Sequence, residues 1–158
     1  MSWYEAVGEP GGRHPGWPAT AGPLRVPAGL VALRPVRLTD GGAWSRIRQR
    51  DLDHLEPWEP SGPGSWAERH GTLAWPGLCW ALRSLARRGT ALPFAITLDG
   101  RFCGQLSISN VVRGALLSAW VGYWVASDAT GGGVATAAVA LGADHCFGLV
   151  GLHRLEAT

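Results

Sequence analysis

Lysine is missing altogether from this sequence of 158 residues, and its fourteen basic residues are all arginine. Without a Gly-Lys-Ser/Thr triplet there can be no Walker-type phosphate loop. Twelve carboxylates nearly balance the arginines, and a formal charge of +2 is too small for the electrostatic footprint of a nucleic-acid binder. The arginines are spread along the chain, so a nucleic-acid or ribosome-binding module finds no support beyond their number. Together with 23 glycines, an all-arginine set fits a GC-rich coding sequence. Long apolar runs are missing too: none reaches the roughly 18 residues that a membrane helix needs. Nor does the N-terminus carry the basic and apolar segments of a secretory signal. Cysteine is scarce and odd in number: Cys79, Cys103 and Cys146. That count argues against a disulfide framework and for reduced, buried thiols in a cytoplasmic protein. His145 and Cys146 are adjacent, but His153 and Cys103 lie far away in sequence. With no C-x-x-C or H-x-x-x-H spacing, no metal is expected. A serine hydrolase is excluded by the lack of a G-x-S-x-G elbow.

What the chain does have is an apolar content of 46 % against 16 % charged residues, enough for one globular domain with one core. Residues 1–23 are rich in Gly and Pro and are expected to be a flexible tail, with the folded domain covering 24–158. Leu24–Arg37 alternates around Pro27-Ala28-Gly29, predicting two strands and a turn. Thr39-Asp40 offers an N-cap for a short helix carrying Ala43, Trp44 and Ile47. Two prolines keep His54–Pro60 out of any helix interior, and Ser65-x-x-Glu68 has the pattern of a capping box. After Pro76 a helix is expected with Leu78, Leu82 and Leu85 on one face. The period then changes. Pro93–Leu98, Asp99-Gly100 and Arg101–Ser109 read as a hairpin with a primed turn. Arg113-Gly114 marks another turn, and the apolar Leu116–Ala126 is expected as a central strand. A helix from Val134 to Phe147 follows, then a strand from Leu152, which a right-handed crossover places parallel to Leu116–Ala126. The predicted class is α+β, a mixed αβα arrangement in which an antiparallel meander feeds a strand–helix–strand unit.

Between the last two long elements lies Gly131-Gly132-Gly133, where a strand ends and a helix opens. The first N–H groups of a helix have no intrahelical partner and sit at the positive end of its dipole. Small residues let an anion approach them, so the segment reads either as a pyrophosphate site or as a plain flexible loop. It is no dinucleotide fingerprint, because Thr136 stands where the last glycine of G-x-G-x-x-G belongs.

Ser118–Thr158 as a whole, from Ser-Ala-Trp-Val-Gly-Tyr-Trp-Val through Gly-Val-Ala-Thr-Ala-Ala-Val to Leu-His-Arg-Leu-Glu-Ala-Thr, resembles the GNAT acetyltransferases. Within them it is similar to the RimJ/RimL type, which acetylates N-terminal amines of ribosomal proteins. The resemblance reaches back through Leu92–Asn110 and the Leu55–Pro60 loop. It implies the acyl-CoA N-acyltransferase fold and acetyl-CoA as cosubstrate, with no metal, in a monomer or homodimer. It implies that Trp124 and Val125 pair with the pantetheine arm, and that Thr130, Gly131, Gly132, Gly133, Val134, Ala135 and Thr136 receive the pyrophosphate. Thr130 replaces the family's usual Gln or Arg, and Gly132 a common basic residue, which predicts weaker CoA binding through loss of charge-assisted contacts. Family members continue past this last strand with an Asn-x-x-Ser segment, a helix and a hairpin, which the sequence does not contain.

The implied reaction is attack of a neutral amine on the thioester, for which positioning and a weak base suffice. Tyr123 beside the expected thioester and Glu156 on the last strand are the candidate catalytic groups; a packed aromatic and a salt-bridged carboxylate are the plain alternatives. Glu56, Trp58 and Glu59 are candidates for the acceptor side, or else a surface turn with a covering Trp. The acceptor is expected to be a primary amine, such as a ribosomal protein's N-terminus. The rival expectation is a CoA-binding remnant without turnover, needing a partner or further C-terminal elements.

Overall fold

The computed structural model describes residues 16–157. The expected tail therefore lies largely outside the described residues, but its last part does not behave as a tail. Trp17 is 5 % exposed and donates from Nε1 to the Pro93 carbonyl at 3.3 Å, under the Arg83 guanidinium. His145 Nε2 holds the Gly16 carbonyl at 2.6 Å. Strand β1 already begins at Ala21, so Pro23 sits within a paired strand. It is an edge strand, where a missing N–H costs no ladder bond.

Six strands form one mixed sheet in chain order: β1 (Ala21–Val26), β2 (Gly29–Pro35), β3 (Leu92–Leu98), β4 (Arg101–Val112), β5 (Ser118–Val125) and β6 (Arg154–Glu156). The first five pair antiparallel as a meander, and β6 lies parallel to β5, as the crossover rule requires. Asp99 and Gly100 take φ of 48° and 80° between β3 and β4, the primed turn expected of that pair. The structure corrects one position. β5 is next to the edge rather than central, and Trp120, Gly122 and Tyr123 on it are exposed.

Helices cover both faces. α1 (Gly41–Arg50), α2 (Leu52–Leu55), α3 (Trp66–Arg69) and α4 (Trp75–Arg87) lie between β2 and β3 in sequence, and α5 (Val134–His145) between β5 and β6. Strand alternation divides the core: Leu33, Phe94, Ile96 and Leu106 share a cluster with Ala137 and Ala138 of α5. Ala95, pointing the other way, packs with Trp44, Trp75 and Cys79 of α1 and α4. The face of α4 that is buried is therefore Trp75–Cys79–Ala86; of the Leu78–Leu82–Leu85 face read from the sequence, Leu78 is exposed and the other two are half-buried. Ser65 and Glu68 form the capping box read from their spacing. Asp40 does not cap α1. Its carboxylate is taken by Arg34, in two bonds of 2.7 and 2.9 Å, and by the Arg37 N–H.

Trp17→Ala is expected to lower unfolding free energy by about 3 kcal/mol, the cost of emptying a packed aromatic site. Urea denaturation checks it, and an unchanged midpoint would assign Trp17 to a tail after all.

Candidate functional site

The geometry that makes a site begins with β5. Its pairing with β4 runs from Ser118 to Val125, whereas β6 pairs with Ser118, Ala119 and Trp120 alone. From Val121 to Val125 the second edge of β5 has no strand partner among the described residues. A cleft of about 910 Å³ opens there. Val121, Gly122, Tyr123, Trp124 and Val125 all line it. Successive side chains of a strand point to opposite faces, so residues of both faces line a cleft that opens along the strand's edge. Free backbone N–H and C=O groups on such an edge accept an extended ligand as an added strand.

Past Val125 the chain makes a 3₁₀ turn (Ser127–Ala129), reaches Thr130 at the cleft, and enters the glycine segment. Gly133 takes φ of 87° ahead of the first helical residue, and the first bond of α5 runs from Ala137 N–H to the Gly133 carbonyl. The N–H groups of Val134, Ala135 and Thr136 thus stand free at the positive end of the helix, ready for an anion. Gly132 is explained by packing. A Cβ there would lie 2.6 Å from that of Ala28, whose N–H bonds the Gly132 carbonyl. The β1–β2 turn therefore supports the segment from one side, while Gly131 faces open space.

The opposite wall comes from α1, α2, the loop after it and α4. Trp58 stands 87 % exposed at the rim, and Leu55, Leu78 and Leu82 supply an apolar surface. Glu59 also lines the cleft, but it is not a free carboxylate: Arg48 binds it from a buried position. The Arg48 guanidinium lies 4.2 Å from the centroid of the Trp124 ring, and Trp124 Nε1 donates to Gln105 Oε1 at 3.1 Å. Burial lowers the pKa of Arg48, and the hydrogen bond and charge of Glu59 oppose that shift. One ion pair thus ties the loop after α2 to the strand at the cleft floor.

The sequence-derived candidates are gathered unevenly. Trp58, Glu59, Tyr123, Trp124, Val125 and Thr130 share the cleft. Tyr123 is 52 % exposed. Glu56, Glu156 and residues 131–136 do not line it, although the last adjoin it through Thr130. Glu156 sits on β6 opposite Trp120 and pairs with Arg154 at 3.1 Å. Sequence reasoning missed Trp44, Arg48, His54, His70, Gln105 and Ser107, all of which line the cleft. No local spacing marks them, since elements far apart in sequence bring them together.

His70 is the chemically notable one. It is buried between Trp44 and Trp66, and its Nδ1 lies 3.0 Å from the Trp66 carbonyl, so Nδ1 carries the proton and Nε2 is the free lone pair. Desolvation lowers its pKa below the ordinary 6.5, against the opposing bond to Trp66 and with help from the charge of Arg48. All three cysteines are buried and free; burial pushes Cys103 and Cys146 up to about 11, so neither offers a thiolate.

Glu59→Gln leaves the Arg48 charge buried without its counter-ion and is expected to cost about 2–3 kcal/mol, discounted for the part-exposed carboxylate. Chemical denaturation of the variant measures it. His70 adds a pH effect. Folding holds the imidazole neutral while the unfolded chain protonates near 6.5, so stability present above pH 6.5 is lost as the pH falls toward the lower folded value. His70→Phe is expected to flatten that acid limb in melting temperatures taken across pH, and an unchanged slope would show that His70 does not cause it.

Comparison with known proteins agrees with this architecture. Residues 31–158 match the model of the acetyltransferase (GNAT) domain. The structure superimposes with a TM-score of 0.90 on Mycobacterium smegmatis RimJ in complex with CoA-disulfide, at 64 % identity over 91 % of this chain and 69 % of that one. A ribosomal-protein-S5-alanine acetyltransferase from Vibrio fischeri is 26 % identical, with a TM-score of 0.70, over 80 % of this chain and 69 % of the other. In sequence, the probable N-acetyltransferase YjcK of Bacillus subtilis is 41 % identical over 59 residues, so the match spans 37 % of this chain and 33 % of that protein. Among the described residues no helix is long and apolar enough to cross a membrane. With a domain match over most of its length and a superposition at a TM-score of 0.90, the chain belongs to the GNAT acetyltransferase family.

Proposed function

We propose that this chain transfers the acetyl group of acetyl-CoA to a primary amine, of the kind presented by the N-terminus of a ribosomal protein. The observation that carries this reading is the unpaired edge of β5 at Val121–Val125, which leads through Thr130 to the free N–H groups at the start of α5. An edge that accepts an amide-containing arm and a helix terminus that accepts a diphosphate, in that order along one chain, match the two polar parts of CoA. Support for the cosubstrate comes from the RimJ of Mycobacterium smegmatis, solved with CoA-disulfide. The name of the Vibrio fischeri enzyme, a ribosomal-protein-S5-alanine acetyltransferase, supports a ribosomal-protein acceptor.

The chemistry asks little of side chains. The thioester supplies an activated acyl carbon, and an α-amine with a pKa near about 8 is partly neutral at pH 7. Apolar walls from Leu55, Leu78, Leu82 and Trp58 favour that neutral form by desolvation. Backbone N–H groups on the open edge of β5 are suited to polarise the acyl carbonyl. In this reading Tyr123, exposed at the cleft, gives a proton to the departing sulfur, and His70 Nε2, a neutral acceptor among the cleft-lining residues, takes one from the amine. Glu59, held by Arg48, shapes the wall and offers little attraction to a cationic amine.

The test is acetyl-CoA-dependent thiol release with N-terminal peptides of ribosomal proteins as acceptors. Binding of acetyl-CoA without release for any amine would favour the remnant reading. Thr136→Glu probes the anion site separately. At the third helical position a carboxylate suits the dipole, so melting temperature is expected to hold or rise. Acetyl-CoA affinity is expected to fall by about tenfold through repulsion of the diphosphate. Gly133 is a poorer probe because its positive φ strains any side chain there. Unchanged affinity in Thr136→Glu would remove the pyrophosphate from this helix.

A further inference from the structure

Asp51 stands at the junction of α1 and α2, 5 % exposed, and its two carboxylate oxygens receive four bonds. Arg50 donates from Nε to Oδ1 at 2.7 Å and from Nη2 to Oδ2 at 2.9 Å. Ser127 donates its backbone N–H to Oδ2 and its hydroxyl to Oδ1, both at 2.7 Å. The second pair comes from 76 residues away, in the turn between β5 and α5. Arg50 extends to the same turn, reaching Asp128 at 2.9 and 3.0 Å, though that bridge is exposed. The Arg50 bond is the largest influence on Asp51; with the Ser127 bonds it outweighs the cost of burial and holds the carboxyl well below the usual range. Asp51 is therefore charged under all physiological conditions.

The elements on either side of this contact face the same cleft. Arg48 of α1 and His54 and Leu55 of α2 line the acceptor wall, while Thr130, three residues past Ser127, lines the cofactor end. Neither Asp51 nor Ser127 lines the cleft itself. Backbone N–H groups bind an anion well only when the loop that aims them is already ordered; otherwise binding must order it first. The 126–130 turn is short and surface-exposed at Ser127, Asp128 and Thr130, so its order depends on anchors such as this one.

We propose that Asp51 is a positioning residue that locks the cofactor loop against the acceptor wall, so that acetyl-CoA affinity depends on a carboxylate outside the cleft. The proposal rests on the reading of residues 131–136 as the pyrophosphate site. Ser127 completes the lock, which links the two substrate sides of the cleft through a single buried group.

Calorimetric titration of acetyl-CoA into the full chain tests it, alongside amide exchange of Ser127. Asp51→Asn keeps the shape but removes the charge and turns one acceptor into a donor. It is expected to weaken acetyl-CoA about tenfold and to speed exchange at Ser127. Ser127→Ala keeps the backbone bond and carries the test where Asp51→Asn fails to fold. It is expected to weaken binding about threefold with little change in melting temperature. In the thiol-release assay both variants are expected to raise KM for acetyl-CoA while kcat holds, which a general loss of stability would not produce. Asp128→Asn breaks only an exposed bridge and should stay within about twofold of the parent. A parent chain that binds acetyl-CoA, with a folded Ser127→Ala and a folded Asp51→Asn binding equally well, overturns the proposal alone. A parent chain that does not bind acetyl-CoA overturns the cofactor reading, and the proposal with it.

Discussion

Every backbone N–H and C=O must find a partner or meet water, and β5 meets this rule with a strand along one side but on the other has a strand over only three residues, leaving the rest to water or a ligand. The rest of the site follows from that shortfall. Among the described residues β6 joins β5 at Ser118–Trp120 alone, so Val121–Val125 present an edge there rather than a ladder. Eight residues separate the end of that edge from the crossover helix, so the first N–H groups of the helix follow the edge along the chain through Thr130. A parallel pair that stays together along its length would close this cleft, and one with no pairing would leave α5 without a fixed direction.

Charges then hold the cleft's walls at their separation. Arg48 binds Glu59 and lies on Trp124, tying the loop after α2 to the strand at the floor. Asp51 binds Ser127, tying the junction of α1 and α2 to the loop before α5. Both charged groups at the centre of these contacts are buried, and a buried charge is costly unless its partners are complete. That cost makes the arrangement selective: few alternative packings of these helices would give Asp51 its four bonds and Arg48 its Glu59 together, and even here Arg48 Nε is buried without a partner. The apolar core beneath them, with Trp44, Trp75 and Ala95 on one face and Leu33, Phe94 and Leu106 on the other, supplies the cohesion that the charged contacts direct.

Much of this was readable without coordinates, where the signal is local. Ser65 and Glu68 cap a helix because three residues is the reach of that reciprocal bond. Asp99-Gly100 makes its hairpin because those residues tolerate positive φ. The glycine segment ahead of Val134 announced a helix start, and the parallel sense of β6 followed from the handedness of crossovers. The misreadings also share a cause. Composition alone does not show that a Gly- and Pro-rich stretch can pack, yet Trp17 finds a site against β3. An apolar strand such as β5 looks central until one sees that its apolar side chains line a cleft. Asp40, a good cap by type, is drawn away by Arg34 on the neighbouring strand.

What the amino-acid order determined by itself is therefore the sequence of elements, their turns and caps, the class of fold and the strand–glycine–helix unit, because each depends on residues within a few positions of one another. Tertiary structure alone decided which side chains meet. Glu59 became half of an ion pair rather than a free acceptor for an amine, Glu156 turned to Arg154, and His70, Arg48 and Gln105 entered the cleft. The gathering of the cleft as a whole depends on contacts across dozens of residues, such as Asp51 with Ser127 at a separation of 76. No short-range pattern encodes such a contact, because its free energy is realised only once the whole sheet and its helices have come together.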